Sequence, residues 1–340
     1  FGSSCCAQVG RRPWLSSKSE NLWFFARMLQ HIARCACSRP LAFHSRVPPH
    51  CAVHLVRRFN SRRSVNNEWP DDANMVWEEI WDEAAMQFKS QSWKSGDLQD
   101  FGIDRYLHAE VLSHKSLACG LAATIGDKLC GNHALKQRVD YQSVLMSAFK
   151  AEPDICSAVA ADLLRFKVVD PATDGLLGVY LFFKGVNALA CARVAHHYWT
   201  QRGDAGKLIA RLLQSEMSDV FGVDIHPGCQ IGRGVTIDHA TGVTLGETCV
   251  IGDNVYLMHD VTLGATGTSS EHDRHPKIGN GVFLGAKCTV LGNIVVGDGA
   301  TVAAAALVNK PVPPGYTAVG VPAKLIAPRG EAQMDHSKAK

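Results

Sequence analysis

The sequence predicts an α+β protein of two domains, an all-helical domain followed by a parallel β-helix of hexapeptide repeats. Two hydrophobic periods support this prediction. Apolar residues recur about every 3.6 positions between residues 72 and 220, and aliphatic residues recur every six positions between 225 and 308. We therefore predict a leader at 1–71, a helical domain at 72–222, a β-helix at 223–327 and a flexible tail at 328–340.

The leader is strongly basic. It holds eleven of the 35 Lys and Arg residues between positions 1 and 66, but only one of the 32 Asp and Glu residues, Glu20. This composition is typical of an organellar transit peptide, and Met28 opens an arginine-bearing segment that is a candidate start. We expect a mitochondrial location, with a plastid or the cytosol as alternatives. A basic tail without any targeting role is the simpler interpretation.

Charge, hydropathy and cysteine usage narrow the class of protein. Beyond residue 66 the chain carries 24 basic and 31 acidic residues, which argues against a nucleic-acid partner. No window of about twenty apolar residues occurs, so we expect no membrane span. Five of the twelve cysteines lie in the leader and the other seven form no CxxC pair, which favours a reducing compartment over a disulfide framework.

The helical domain is predicted from apolar stripes that share one helix face. Two clear examples are Val76-Ile80-Ala84-Phe88 and Leu117-Leu121-Ile125-Leu129. Turn-forming residues separate the stripes at 131–132, 152–153, 170–171 and 203–204, which predicts six or more helices. Asp154 and Asp170 each neighbour a proline, and we expect both to act as helix N-caps.

The β-helix is predicted from thirteen aliphatic residues on a sixfold period, which suggests about four triangular coils. They are Ile225, Ile231, Ile237, Leu245, Ile251, Leu257, Leu263, Ile278, Leu284, Val290, Val296, Val302 and Val308. Small or β-branched residues follow most of them at i+4 and are expected to line the corners, among them Cys229, Thr241 and Cys249. The period breaks twice, and chemistry is best sought at such interruptions.

The first break inserts two residues near Thr241-Gly242 and is expected to bulge the turn and project His239 outward. Asp224 precedes His239 by fifteen residues, close to one coil of eighteen, so the two are candidates for neighbours on adjacent coils. An aspartate beside a histidine is the orienting pair of a general base. A turn-capping aspartate and a surface histidine explain the same spacing equally well.

The second break is a polar excursion between Leu263 and Ile278. Loops that leave a solenoid tend to carry binding residues. Arg274 offers a planar fork for a carboxylate, and His275 offers a titratable donor. A solvated loop without function is the alternative.

At these residues the chain resembles serine O-acetyltransferases. Five motifs occur in order: DIHP at 224–227, DHATG at 238–242, GET at 246–248, DRHPKI at 273–278 and GVPAK at 320–324. The helical part agrees through VW at 76–77, LSHKSL at 112–117, DPA at 170–172 and NAL at 187–189. The resemblance covers about residues 75–327. It implies a left-handed β-helix, trimers with active sites between neighbouring subunits, and pairs of trimers.

The resemblance also implies roles for individual residues. His239 is the base that takes the proton from the L-serine hydroxyl, Asp224 orients it, and the alkoxide attacks the thioester of acetyl-CoA. Asp170 and Asp238 would bind the ammonium group of serine. Arg274 and His275 would bind its carboxylate, and Glu247 would support them. The CoA arm would be lined by Ala265, Ala286 and Lys324. No metal is implied.

Three departures from the family pattern affect these expectations. The usual Gly-Gly-Thr is Gly264-Ala265-Thr266 here, which adds a methyl group where CoA passes. The loop that follows is one residue longer than the usual form. The sequence ends at Lys340, whereas the family often ends in an isoleucine that docks into O-acetylserine sulfhydrylase, so we expect that partner complex to be weak or absent.

Three other functions fit parts of the sequence. Another hexapeptide acetyltransferase, with homoserine, a sugar or an antibiotic as acceptor, shares the β-helix but usually lacks such a helical domain. A zinc enzyme needs three histidines, and His226, His239, His259 and His275 offer no trio at ligand spacing. A weakly active scaffold is the third alternative, because Ala265 departs from the pattern.

Overall fold

The computed structural model describes residues 70–89, 102–131, 138–267 and 272–328. These residues form helices up to Phe221 and short strands from Val223 onward, so the change of hydrophobic period falls at Gly222. The predicted leader and tail lie outside this part of the chain, apart from residues 70, 71 and 328.

Eight α-helices occur in the described residues, so the prediction of six or more is confirmed. They are α1 Asp71–Lys89, α2 Ile103–Leu107, α3 Leu117–Cys130, α4 Tyr141–Ala151, α5 Asp154–Val169, α6 Leu176–Phe182, α7 Lys184–Gln201 and α8 Gly203–Phe221. One π-helical turn, His108–Leu112, continues α2. The predicted stripes face the core: Ile80 and Ala84 of α1 and Leu121 and Ile125 of α3 are fully buried.

The two predicted N-caps were wrong. Asp154 is the first residue of α5, and the N-cap is Pro153. Asp170 follows the last residue of α5 as its C-cap, and its carboxylate accepts a hydrogen bond from the backbone N of Ala172 at 2.9 Å. Pro171 explains this, because a residue before proline is pushed out of the helical conformation. Asp170 therefore ends a helix and shapes the turn that follows.

The helices pack directly on the first coil of the β-solenoid. A Cβ added to Gly185 of α7 would lie 2.0 Å from the carbonyl oxygen of Ile237, so only glycine allows this approach. Fully buried Asp162 of α5 pairs with Arg193 of α7 at 2.8 Å. Arg193 also donates to the backbone carbonyl of Gly232 at 2.7 Å. The position of the helices relative to the solenoid is thus set by backbone contact and a buried ion pair.

The solenoid is built from parallel strands that stack into three sheets. Thirteen strands carry the sixfold period: β1 Val223–Ile225, β2 Gln230–Ile231, β3 Thr236–Ile237, β4 Val243–Leu245, β5 Val250–Ile251, β6 Tyr256–Leu257, β7 Thr262–Gly264, β8 Lys277–Ile278, β9 Phe283–Leu284, β10 Thr289–Leu291, β11 Val295–Val296, β12 Thr301–Val302 and β13 Leu307–Val308. Each contains one of the thirteen predicted aliphatic residues, and these stack in register, as in Ile237↔Leu257↔Leu284. The hexapeptide prediction is confirmed strand by strand.

The three sheets define three faces. Face 1 is β1-β4-β7-β10-β13 and face 2 is β2-β5-β8-β11. Face 3 is β3-β6-β9-β12, extended by β14 Thr317–Val319 and the antiparallel β15 Lys324–Ile326. The solenoid has about five turns, where about four were expected, because β14 adds a level beyond the sixfold period.

Small residues fill the corners of the coil as predicted, with one exception. Cys229, Cys249 and Cys288 are buried as free thiols. Thr241 is exposed, while its neighbours Ala240 and Val243 are buried. The two inserted residues displace Thr241 from the interior, since the chain must leave the coil to accommodate them.

No single helix within the described ranges is long and apolar enough to span a membrane. Only α6 and α7 taken together pass that test, and they are bent by 67° at their junction. The apolar residues of this pair are largely buried in the core.

Candidate functional site

The predicted site residues fall at two different corners of the solenoid. We call the turns that lead from face 3 to face 1, residues 238–242, 258–261 and 285–288, the His239 corner. We call the turns that lead from face 1 to face 2, residues 226–229, 246–249, 265–267 and 272–276, the Arg274 corner. Strand order places the two corners at opposite ends of face 1.

The His239 corner begins with the predicted bulge between β3 and β4. His239 and Ala240 have φ values of 57° and 58°, in the left-handed region that non-glycine residues rarely adopt. Gly242 has a φ of 80°, and a Cβ there would lie 1.9 Å from Oδ1 of Asp260. The side chain of His239 is 70% exposed. The predicted bulge and the outward projection of His239 are confirmed.

The first residue of α7 supports this bulge. The ammonium of Lys184 donates a hydrogen bond to the hydroxyl of Thr241, and Gly185 packs on Ile237 just before the bulge. The backbone N of Gly242 donates to the carbonyl of Gly222 at 2.7 Å, where the helices end. The bulge is therefore held by contacts with the start of α7 and with Gly222, the residue between α8 and β1.

Two side chains lie beside the His239 imidazole. Nε2 of His239 is 3.5 Å from Oδ2 of Asp238, and the rings of His239 and His259 are 5.9 Å apart in an edge-to-face arrangement. Nδ1 of His259 is buried without a hydrogen-bond partner among the residues that the structure describes. His259 was not predicted as a site residue. The register Ile237↔Leu257 could have revealed it, because it stacks His259 one coil from His239.

Asp170 and Asp238 both influence Tyr256, a residue of β6 that was not predicted as a site residue. Burial is the main cause that raises the pKa of Tyr256. A hydrogen bond to Asp238 and the negative charge of Asp170 raise that pKa further. The two acids that the resemblance assigns to one ammonium group thus both influence the same phenol. Since Asp170 follows α5 and Asp238 follows β3, this part of the site draws on both the helices and the solenoid.

The Arg274 corner is a closed hydrogen-bond network. Nη2 of Arg274 lies 3.1 Å from Oε2 of Glu247. The hydroxyl oxygen of Thr248 accepts hydrogen bonds from the backbone N of Arg274 at 3.2 Å and of His275 at 3.1 Å. Lys277 donates to the carbonyl of Thr248 at 2.6 Å. These contacts hold the predicted carboxylate-binding residues against the turn after β4.

The protonation of His275 follows from its partners. Its Nδ1 accepts from the backbone N of Thr248 at 3.2 Å, so the proton of the neutral ring resides on Nε2. Burial is the main cause that lowers the pKa of His275, and the charge of Arg274 adds to it. A Cβ on Gly246 would lie 2.1 Å from Cδ2 of this ring, which explains the glycine there. His275 is therefore a neutral donor in a fixed orientation.

Asp224 lies on β1, next to the Arg274 corner. Its carboxylate accepts a hydrogen bond from Nε2 of Gln214 on α8 at 2.7 Å. The predicted pair of Asp224 with His239 is not formed within one chain, where His239 has Asp238 as its acidic neighbour. The fifteen-residue spacing was a poor guide because Asp224 stacks on Thr244, twenty residues later. His239 therefore lies in the turn before face 1 and not in a strand.

The residues predicted to line the CoA arm are spread over three places. Ala265 opens the excursion after β7 at the Arg274 corner, and Ala286 lies in the turn after β9 at the His239 corner. Lys324 lies on β15, paired with Val319 and exposed. Within the described ranges, no group of three or more His, Cys, Asp or Glu side chains is arranged to hold a metal ion.

Family models match both parts of the chain. The serine acetyltransferase N-terminal family matches residues 76–191. Hexapeptide-repeat families match residues 222–258 and 275–310. Probable serine acetyltransferase 1 of Oryza sativa subsp. japonica is 43% identical over 272 residues, which are 78% of this chain and 85% of the relative. The chain belongs to the serine acetyltransferase family.

Other members of the serine acetyltransferase family are similar to this chain in sequence and in structure. In Arabidopsis thaliana, serine acetyltransferase 3, mitochondrial, is 42% identical over 74% of this chain and 60% of its own length. Serine acetyltransferase 1, chloroplastic, is 40% identical over 82% of this chain and 84% of its own length. Soybean serine acetyltransferase complexed with serine superposes with a TM-score of 0.68 at 42% identity, covering 76% of this chain and all of that one. A serine acetyltransferase in complex with CoA superposes with a TM-score of 0.66 at 34% identity, covering 74% of this chain and 98% of that one.

Proposed function

We propose that this member of the serine acetyltransferase family transfers the acetyl group of acetyl-CoA to the hydroxyl of L-serine, giving O-acetylserine and CoA. The observation that carries the proposal is the pairing of two contrasting corners. One presents an exposed imidazole with two acids, and the other presents a guanidinium with a neutral imidazole donor. A zwitterionic alcohol needs both sets, because it offers an ammonium, a carboxylate and a weak hydroxyl nucleophile.

The complete site is proposed to form between neighbouring subunits of a homotrimer, with two trimers joined through the helical domains. The placement of Asp224 supports this. Within one chain its carboxylate accepts a hydrogen bond from Gln214, and it lies in the middle of β1 on face 1, whereas His239 lies in the turn before that face. In the proposed trimer, the His239 corner of one subunit would lie beside the Arg274 corner of the next. Both halves of the substrate site would then meet at each interface.

In this arrangement His239 acts as the general base. It takes the proton from the serine hydroxyl while the oxygen attacks the thioester carbonyl, and Asp224 of the neighbouring subunit orients the imidazole and stabilises its charged form. The new C–O bond forms, the C–S bond breaks, and the proton passes from His239 to the thiolate of CoA. His259, whose ring lies beside His239, is placed to donate to the oxyanion of the tetrahedral intermediate.

Substrate binding follows from the charges at each corner. Asp170 and Asp238 hold the ammonium of serine, and Arg274 with the Nε2–H of His275 holds its carboxylate. Glu247 keeps the guanidinium of Arg274 in place through their 3.1 Å ion pair. Since His275 is neutral, it donates a hydrogen bond without adding a second positive charge.

Acetyl-CoA is proposed to run along the solenoid past Ala265 and Ala286, with Lys324 near its phosphates. Both alanines are half-buried in corner turns, so each presents a small side chain where an extended arm could pass. The basic leader supports import into an organelle, for which we favour the mitochondrion. Relatives carry both mitochondrial and chloroplastic names, so localisation of the full-length chain fused to a fluorescent protein decides between the two.

The function is tested by following CoA release from acetyl-CoA with L-serine or L-homoserine as acceptor. We expect serine to be preferred by roughly tenfold or more in kcat/KM, since one added methylene in a fitted pocket costs this order. A preference for homoserine would contradict the proposal. Turnover with serine no higher than that of a His239→Ala variant would support a scaffold role instead.

A further inference from the structure

Gln214 of α8 contacts the aspartate that the proposed mechanism uses to orient the base. Its side-chain nitrogen Nε2 donates a hydrogen bond to Oδ1 of Asp224 at 2.7 Å. Because a carboxylate accepts hydrogen bonds, the amide nitrogen and not the amide oxygen faces Asp224. The contact joins the last helix to the first strand of the solenoid. The helical domain is thus in direct contact with a residue of the proposed active site.

The position of Gln214 is fixed by the packing of α8. Leu213 and Met217, which flank it in the helix, are fully buried. The helix ends at Gly222, whose φ of 68° lies in the left-handed region that favours glycine at a helix C-terminus. The chain reverses there, so β1 begins at the next residue and packs against α8. Gln214 and Asp224 therefore face each other across a short and well-anchored reversal.

The cations of α8 are held on an aromatic ring. Lys207 and Arg211 each lie over the indole of Trp199, 5.6 Å from its centroid. The same indole meets the imidazole of His226 edge to face, with 5.1 Å between the ring centroids. Arg211 stands about one turn before Gln214 on the helix, yet the side chain hydrogen-bonded to Asp224 is the uncharged amide.

We propose that Gln214 is a positioning residue that holds the carboxylate of Asp224 for the imidazole of His239 in the neighbouring subunit. Its amide occupies Oδ1, which restricts rotation of the carboxylate about the Cβ–Cγ bond and presents Oδ2 to the ring. The inference rests on the proposed function and deepens it, because it gives the helical domain a part in aligning the base.

The chemistry favours an amide at this position. A lysine or arginine would form an ion pair with Asp224 and compete with the imidazolium that forms when His239 takes the proton. An apolar side chain would leave the carboxylate free to rotate away from the ring, and misaligned groups slow a reaction. A neutral donor fixes the direction of the carboxylate and leaves its charge for the imidazolium.

The test is the Gln214→Met variant, which removes the amide and keeps the length of the side chain. We expect kcat to fall roughly tenfold, the order of a hydrogen bond to a charged group, while the KM values for L-serine and acetyl-CoA stay within about twofold. Gln142→Met is the matched control. Nε2 of Gln142 on α4 also donates to an aspartate, Oδ1 of Asp127 on α3, at 2.9 Å. This control should leave all three constants unchanged, because its hydrogen bond joins two helices.

A double-mutant cycle shows whether Gln214 acts through Asp224. Two residues that act along one route have non-additive effects, so Gln214→Met should lower kcat by less than about twofold when it is added to Asp224→Asn. Gln214→Lys separates positioning from support of the fold. It restores a donor but adds a charge, and we expect its kcat to stay as low as that of Gln214→Met. A merely structural contact would be rescued by the ion pair.

Four outcomes overturn the inference. Normal kcat in Gln214→Met would mean that the hydrogen bond takes no part in the reaction. A loss of roughly tenfold that persists in Asp224→Asn would mean that Gln214 acts by another route. Normal kcat in Gln214→Lys would mean that any donor suffices. If Gln214→Met does not fold, the shorter Gln214→Ser takes its place, and normal turnover of that variant refutes the proposal.

Failure of the wild type to acetylate L-serine is a different result. It refutes the proposed function before any variant is compared, whereas the four outcomes above are measured against an active wild type.

Discussion

The two corners of the solenoid are built differently. At the Arg274 corner, Glu247 and Thr248 accept hydrogen bonds from Arg274, and Lys277 donates one to the carbonyl of Thr248. The side chain of Arg274 is 35% exposed. At the His239 corner, the imidazole is 70% exposed on a bulge with left-handed backbone, and its acidic neighbour is 3.5 Å away. The proposed carboxylate-binding residues are thus held by contacts within one chain. The proposed base, His239, points outward, so its environment in the proposed trimer depends on the neighbouring subunit.

The largest expected effect comes from His239→Ala. We expect kcat to fall by about 10²–10⁴-fold, the usual contribution of a general base. The midpoint of thermal unfolding should stay unchanged, because the side chain is mostly exposed and packs on little. Steady-state kinetics and a melting curve measure both quantities. His108→Ala, at another exposed histidine, is the control, and near-normal turnover of His239→Ala would refute the mechanism.

The comparison predicts complementation between two inactive variants. When His239→Ala and Arg274→Ala chains are co-expressed, some interfaces combine an intact His239 corner with an intact Arg274 corner. Random mixing gives roughly a quarter of the wild-type site number, if each site draws one corner from each of two subunits. Activity of the co-purified mixture, compared with the two variants mixed after purification, measures this. Absence of any recovery in the co-expressed sample would place both corners of each site in one chain.

The Arg274 corner should affect binding and not the chemical step. Arg274→Ala is expected to raise the KM for L-serine by roughly tenfold or more while the KM for acetyl-CoA changes little, because a charge-assisted bond to the carboxylate is lost. Arg274→Lys should recover part of the loss, since it restores the charge without the planar fork. Weakened acetyl-CoA binding with normal serine binding would assign this loop to the cofactor side.

The smallest expected effect is a pH dependence of stability from the Arg274 corner. Burial is the main cause that lowers the pKa of both His226 and His275, with a further contribution from Arg274. Below the ordinary histidine pKa of 6.5 the unfolded chain binds more protons than the folded one. The stability that the two neutral histidines contribute is therefore fully present above that pH. It is lost as the pH falls through their lowered pKa values in the folded protein.

Melting curves between pH 7.5 and 5 measure this dependence as a falling unfolding midpoint, by about a few degrees. His226→Asn should flatten the curve, because an amide oxygen still accepts the 3.0 Å hydrogen bond from the backbone N of Gly228 but does not titrate. His108→Asn, at an exposed position, should leave the curve unchanged. A midpoint that stays constant or rises on acidification would contradict the assignment.

Much of this molecule could be predicted from hydrophobic period alone. All thirteen sixfold aliphatic residues lie in strands, and the bulge at Thr241-Gly242 projects His239 as expected. Prediction failed where a residue's role depends on a neighbour distant in sequence. Asp170 was expected to start a helix and instead ends one, because Pro171 excludes the helical conformation before it. His259 and Tyr256 were missed because both reach their partners across the stacking of coils.

The sequence by itself determined the coil, since a sixfold aliphatic repeat can bury its apolar side chains only by stacking turn upon turn. It also determined where the coil is interrupted, because two inserted residues have no place in the interior. Only the tertiary structure decided the partners of the site residues. The charge of Asp170 acts on Tyr256 because α5 and α7 pack on the first coil through Gly185 and Arg193. Asp224 lies apart from His239 because it stacks on Thr244 within face 1, whereas His239 lies in the turn before that face. Spacing along the chain does not encode this register.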